Sequence, residues 1–404
     1  MDKLTNKWII GIIVAVVVIW AVVAATKQPA TAPTTESMAE NKGGEAMMKL
    51  TEPVRIGIIF PLTGDAASIG VPFQKSALMA AEEINAAGGI LGQPAEFIFE
   101  DGKCDPSASA AAAQKLVNVD NVKIVFGGAC SGEMLAAAPI LEEAHVLAIS
   151  PSATSPDITN AGDYIFRTTP SDAGQGAVAA EYAFNDLGAR KVGVISEQTD
   201  YAQGLRKVFV DRFNGLAGTI AADEVFQSND TDLRAQVLKI KSVGVDLVYL
   251  VPQSPATAEL ILKQLTMQEV NAKRMGTEVM LSRDLIAQNA QLMKGVIGTE
   301  QYFNDQAADT STFLSTYEAK YSEKPTYPAY MVNTYSQVYL IKEGIEKVGM
   351  DATKLKDWLY TVKGWKHAMG ELSFTPDGDA LGQYSVKEVQ ADGSLKELSV
   401  VKPQ

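Results

Sequence analysis

Histidine and cysteine are almost missing from this chain: 404 residues hold two of each. That scarcity removes most transition-metal centres, which draw on clusters of those side chains, and leaves only carboxylate sites open. It also weakens any thiol nucleophile, which needs a histidine beside it; His145 and His367 stand in no recognisable catalytic setting. Basic residues are outnumbered, 35 Lys and Arg against 48 Asp and Glu, for a net charge of −13. A nucleic-acid partner would want clustered positive charge, so none is expected. The chain has no P-loop, no Gly-x-Ser-x-Gly elbow and no dinucleotide fingerprint. Together these absences point away from an enzyme, and no cofactor or metal is expected. What is present is ordinary globular composition, 47% hydrophobic and 21% charged, in a length that suggests two domains.

One long apolar run does occur, at the N-terminus. Lys3 and Lys7 flank an uncharged stretch over residues 8–26, near the lower limit for crossing a bilayer and longer than a usual signal-peptide core. Ala21, Ala24 and Ala25 keep cleavage open, and no lipid-acceptor cysteine is present. An uncleaved membrane anchor over residues 1–26 is the favoured reading, with everything after Lys27 outside the cell membrane. Residues 27–52, rich in Ala, Thr, Pro, Gly and Met, read as a flexible linker.

From residue 54 onward apolar β-branched runs and helical patterns alternate. Strands are expected at 54–60, 97–99, 122–126 and 146–149, with helices between them, one of them starting at Pro72. The alternation repeats from a helix at 173–187, through strands at 191–195, 220–226 and 246–251, to a short strand end at 275–278 and another strand at 296–299. Helices at 309–322, 327–348 and 352–362 precede a β-rich tail. The fold class is therefore α/β, two lobes of mostly parallel sheet flanked by helices with a cleft between them.

In such sheets ligands bind beyond the carboxyl ends of strands. The stretch Ile124-Val125-Phe126-Gly127-Gly128-Ala129-Cys130-Ser131 is a strand running through glycines onto a helix N-terminus. Unpartnered first-turn N–H groups there suit a carboxylate. Ser131 reads equally as that helix's own N-cap. Ser152, Ala153 and Thr154 fall in a second strand-end loop, where Thr154 between two prolines also reads as turn chemistry. Tyr201 reads as a staple on its own helix and Glu278 as a surface carboxylate beside a turn, unless the cleft brings them together.

The motifs in order are similar to those of the leucine/isoleucine/valine-binding family, type I periplasmic binding proteins of ABC transporters. The likeness rests on Gly64, the run 83–92, Asp101 with Cys104-Asp105-Pro106, 127–131, 151–156, 166–169, 200–204, 276–278 and 369–374. It covers residues 54 to about 400. The resemblance implies a small amino acid held between lobes and delivered to a permease. Ser131 and Thr154 would hold its carboxylate, Ser152 and Ala153 would supply backbone groups, Tyr201 would reach across from the second lobe, and Glu278 would pair with the ammonium. Ile69 and Gln253 stand where relatives carry pocket aromatics. It further implies a monomer with lobe 1 at 53–172 plus 302–376 and lobe 2 at 173–301 plus 377–404. Hinges would lie near 171–173, 302–305 and 376–382. A ligand sensor for a short amide or small carboxylate, working with a separate signalling partner, is the alternative.

Cys104 and Cys130 each follow a parallel strand and so share one sheet edge. In an exported chain they are expected to form a disulfide, worth roughly 3–4 kcal/mol by chain entropy.

Overall fold

The structure is a computed structural model and describes residues 50–402. The anchor expected over residues 1–26, and most of the linker after it, lie outside the described residues. Among the described residues no helix is long and apolar enough to cross a membrane.

The first sheet grows from β1 (Val54–Phe60), an apolar run buried at all but one position. α1 (Ala67–Ala86), β2 (Ala95–Asp101), α2 (Pro106–Asn118), β3 (Ile124–Gly127), α3 (Ser131–Glu143), β4 (Leu147–Ser150) and β5 (Ile165–Arg167) follow. All five strands are parallel, in the order β2-β1-β3-β4-β5. α2 starts as its sequence dictates, with Pro106 in its first turn and the Asp105 carboxylate accepting from the Ala108 N–H at 2.8 Å. α1 differs from expectation. It begins five residues before Pro72, because Gly70 lets its first turn press on β1's exit: a Cβ there would fall 2.0 Å from the Pro61 carbonyl oxygen. Pro72 then removes only one early N–H.

The second sheet is built by α4 (Asp172–Asn185), β6 (Lys191–Glu197), α5 (Asp200–Gly215), β7 (Thr219–Phe226), α6 (Arg234–Val243), β8 (Leu247–Val251), α7 (Pro255–Met267) and β9 (Lys273–Gly276). A 3₁₀ turn, Glu278–Leu281, and the short helices α8 (Arg283–Gln288) and α9 (Ala290–Met293) lead to β10 (Ile297–Gln301). The sequence placed Glu278 at a strand end, but the strand stops at Gly276, and Thr277 caps the turn through its hydroxyl. The chain then returns to the first lobe as α10 (Ala308–Tyr321), α11 (Pro328–Val348) and α12 (Ala352–Thr361), with α11 packed on α1. A small hairpin, β11 (Trp365–His367) and β12 (Gly370–Leu372), precedes β13 (Tyr384–Val389) and β14 (Leu395–Val401). These last two strands pair antiparallel and extend the second sheet, whose order is β14-β13-β10-β9-β8-β6-β7. Phe209 and Tyr249 stack at 3.8 Å in its core.

Strand order fixes where a ligand can sit. In the first sheet the order reverses between β1 and β3, and in the second between β6 and β8. Loops that diverge at such switch points open a crevice at the strands' carboxyl ends. Ile69 and Ser131 follow β1 and β3, while Tyr201 and Gln253 follow β6 and β8.

Three segments cross between the sheets, after β5, after β10 and after β12. They are laced together. Arg167 is fully buried and donates to Asp379 Oδ1 at 2.6 Å, the Ser155 carbonyl at 2.8 Å and the Thr159 hydroxyl at 2.8 Å. Gln301 accepts from Thr169 at 3.0 Å and from Asn333 at 3.3 Å.

Candidate ligand-binding cleft

The two sheets' loops approach each other closely across the cleft. A Cβ on Gly132, in the first turn of α3, would lie 2.8 Å from Asp200 Oδ2 at the start of α5. One on Gly204 would lie 3.0 Å from Pro156. Between the lobes is a cavity offering about 40 Å³ to the centre of a water-sized sphere, where one water needs roughly 10–15 Å³. Six sequence-predicted residues line it: Ile69, Ser131, Ser152, Tyr201, Gln253 and Glu278. Ala153 and Thr154 are buried beside it and do not form its wall.

The end near Ser131 is built from tight backbone turns. Gly127 has φ +119°, and a Cβ there would lie 2.1 Å from the Ile59 carbonyl oxygen, so only glycine fits. The N-cap of α3 is Cys130, and Ser131 is the first helical residue. The expected capping role of Ser131 therefore does not hold. Its hydroxyl oxygen instead accepts from the Ser155 N–H at 3.1 Å, which ties the two strand-end loops together and leaves its proton free to donate. The Ser152 hydroxyl donates to the Ala129 carbonyl at 2.8 Å, and the Ser150 hydroxyl donates to the Gly128 carbonyl at 2.7 Å.

Cys104 and Cys130 are disulfide-bonded, with Cα atoms 5.4 Å apart. Sequence reasoning missed their companion, Glu133. Its buried carboxylate accepts from the Cys104 N–H at 2.8 Å and the Cys130 N–H at 3.0 Å. Burial pushes its pKa up to about 7 against the pull of those N–H groups.

The opposite end carries acid. Glu278 is only 7% exposed, so it is not the surface carboxylate its local sequence suggested. Gln175 Nε2 donates to it at 2.6 Å and also to the Thr299 carbonyl at 3.1 Å. Burial raises its pKa; the Gln175 amide, its own N–H and the Tyr201 hydroxyl pull it back. A second carboxylate, Asp172, is fully buried, and neither of its oxygens has a well-formed hydrogen bond. Burial first and the neighbouring Glu278 second hold it well above the ordinary range, opposed by the Thr154 hydroxyl and Arg167. Thr154 and Tyr201 likewise keep buried hydroxyls without well-formed bonds. Asp172 and Gln175 went unread in the sequence. Their signal was two polar residues three apart, hence on one face, in the first turn of an alanine- and glycine-rich helix.

The cavity is lined both by the start of α3, at Cys130 and Ser131, and by the buried acid Glu278, and a second buried acid, Asp172, lies near Glu278 outside that wall. No group of three His, Cys, Asp or Glu residues suited to a metal ion occurs among the described residues. The sequence profile of the periplasmic binding proteins matches residues 53–394. This chain belongs to the periplasmic binding protein family. As a solute-binding protein it has well-matched relatives. A Pseudomonas aeruginosa protein named leucine-, isoleucine-, valine-, threonine- and alanine-binding protein is 31% identical over 350 residues, 86% of this chain and 92% of the relative. The solved structure of a branched-chain amino acid transporter substrate-binding protein from Streptococcus pneumoniae, in complex with isoleucine, superposes with TM-score 0.79 at 30% identity. That match covers 87% of this chain and all of the other (100%). An R. palustris ABC-transporter solute-binding protein in complex with benzoate shares the fold, with TM-score 0.78 at 18% identity over 87% of this chain and 97% of its own.

Proposed function

We propose that this protein captures a small amino acid, of branched-chain type or related, by closing two lobes on it, and delivers it to the permease of an ABC transporter. The observation that carries the reading is that one cavity is lined both by the start of α3, at Cys130 and Ser131, and by the buried acid Glu278, with Asp172 buried near Glu278. A zwitterion enclosed there loses its water, so each charge needs a partner inside. The first-turn N–H groups and the Ser131 hydroxyl take the carboxylate. Glu278 takes the ammonium with Tyr201 beside it and Asp172 nearby, and Thr154, which the resemblance sets with the carboxylate, has Asp172 as its acid neighbour. The names of the relatives above support the amino-acid class.

Residues 53–172 plus 302–376 form lobe 1 and residues 173–301 plus 377–404 form lobe 2. The segments 171–173, 302–305 and 376–382 absorb the backbone change on opening. The protein acts as a monomer outside the cytoplasm, tethered by an uncleaved N-terminal anchor. Intact protein then stays with membranes after a high-salt wash, while a chain starting at Thr51 is soluble and binds equally well. A mature N-terminus near Thr26 by mass spectrometry overturns the anchor. The unbonded Gln253 amide in the cavity wall is what favours the competing reading, a sensor for a short amide. Melting shifts across amino acids, short amides and small carboxylates test the main reading. Shifts confined to α-amino acids support it, and shifts confined to ligands without an ammonium group contradict it.

A further inference from the structure

The cavity wall not used by the two charges is part oil and part hydroxyl. Ile69, Phe73 and Val279 supply carbon. Tyr327, Tyr330 and Gln253 supply polar groups among them. The phenols of Tyr327 and Tyr330 are both buried with no well-formed hydrogen bond. Tyr327 has the Ser282 hydroxyl beside it. Tyr330 does not: its charged neighbours are the acids Glu278, Asp172 and Glu300, and its ring lies 6.4 Å from that of Phe73, a fully buried side chain. Gln253 is fixed by its backbone N–H, which donates to Glu197 at 2.8 Å, while its side-chain amide makes no hydrogen bond. Gln253 is half-buried, whereas the Tyr330 phenol is a buried orphan on a residue that lines the cavity; buried polar groups are normally satisfied, so it marks where a ligand atom belongs.

Resting on the amino-acid reading above, we propose that Tyr330 is a specificity-determining residue: its hydroxyl, with the Gln253 amide, reads a hydrogen-bonding group on a short ligand side chain. The ligand is then an α-amino acid whose side chain carries a hydroxyl or amide beside an aliphatic carbon, preferred over the purely aliphatic isostere. A site built to bond a hydroxyl discriminates strongly against an analogue lacking one, because the site's own polar groups stay unpaired.

Threonine and valine test this cleanly, since they differ only in a hydroxyl for a methyl. Calorimetric titration of the wild-type protein is expected to give threonine at least about tenfold tighter than valine. Tyr330→Phe is expected to weaken threonine about tenfold and leave valine unchanged or tighter. The wild-type ratio needs no variant, so a misfolded Tyr330→Phe leaves the test standing. Valine equal to or tighter than threonine in wild type overturns the proposal while sparing the amino-acid reading. So does a Tyr330→Phe that weakens both ligands alike, which would place the hydroxyl on the shared amino-acid groups. If no α-amino acid binds at all, the reading beneath it falls as well.

Discussion

Around Ser131 the wall of the cleft is already bonded: Ser131, Ser150 and Ser152 all have partners, and Glu133 holds both cysteine amides. Around Glu278 it is not, since the Tyr201 hydroxyl in the wall, and Asp172 and Thr154 buried outside it, lack well-formed bonds. The first end is backbone stapled by a disulfide, and on the proposed reading it is set for an anion before any ligand arrives. The second end is side chain, and on the proposed reading its groups find full partners when a cation is enclosed. Preorganisation reduces the cost of binding at the first end. Differential contact at the second end is what rewards closure, because a ligand shifts a conformational equilibrium only through interactions that differ between its states.

That contrast fixes an order of mutational effects. Glu278→Ala leaves an ammonium buried without its main partner, a loss of about 2–5 kcal/mol. Calorimetry should record affinity for an α-amino acid falling roughly 30- to several-thousand-fold. An unchanged affinity would erase the distinction between the two ends.

Next comes stability at the first end. Replacing Cys104 and Cys130 with serine should lower unfolding free energy by roughly 3–4 kcal/mol in denaturant titrations. Glu133 adds a pH signature. Its folded pKa of about 7 exceeds the ordinary glutamate value of 4.5, so between the two the folded state keeps a proton the unfolded chain has lost. Stability conferred by that proton is therefore present at low pH and fades as pH climbs from about 4.5 to about 7. Glu133→Gln should flatten that slope; a slope unchanged in the variant would mean that the acid does not titrate there.

A third effect reports the second end by protons. Asp172 and Glu278 are held above their ordinary pKa values, chiefly by burial, so the free protein keeps protons there to a higher pH than ordinary carboxyls do. An ammonium favours the ionised pair, so binding expels protons and tightens as pH rises through the raised pKa values, then levels. Calorimetry in two buffers of different ionisation enthalpy should show the release, and identical heats would argue against it. Smallest is Ser131→Ala, expected to weaken binding less than about tenfold because the helix N–H groups remain. A loss as large as that of Glu278→Ala would mean that the hydroxyl, and not the backbone, dominates.

Much of this was legible in the sequence. The β-branched runs and the small-residue helices between them give the two parallel sheets, because their periodicities differ and local composition decides each element. Ser131 was legible because it follows a strand onto a helix N-terminus, whereas Tyr201, Gln253 and Glu278 were legible only through the resemblance to the leucine/isoleucine/valine-binding family. Asp172 was not, because its meaning depends on burial beside Glu278, a residue 106 positions later in the chain (278 − 172). Arg167 and Glu133 were hidden for the same reason: a buried ion pair to Asp379 and a bridge between two loop amides are products of crossings between lobes and of loop packing, which periodicity does not encode. Tyr330 lay in an amphipathic helix where an aromatic reads as core, and only the unpartnered hydroxyl in a cavity separates it from one.

The central claim is that one end of the cleft exists to hold an ammonium. Its most direct test is calorimetric titration of the wild-type protein with a tightly bound α-amino acid and with the same molecule lacking only its amino group. The account predicts that the des-amino acid binds at least about 30-fold more weakly, since Glu278 and Asp172 would then close on no cation. Equal affinity for the two would contradict it.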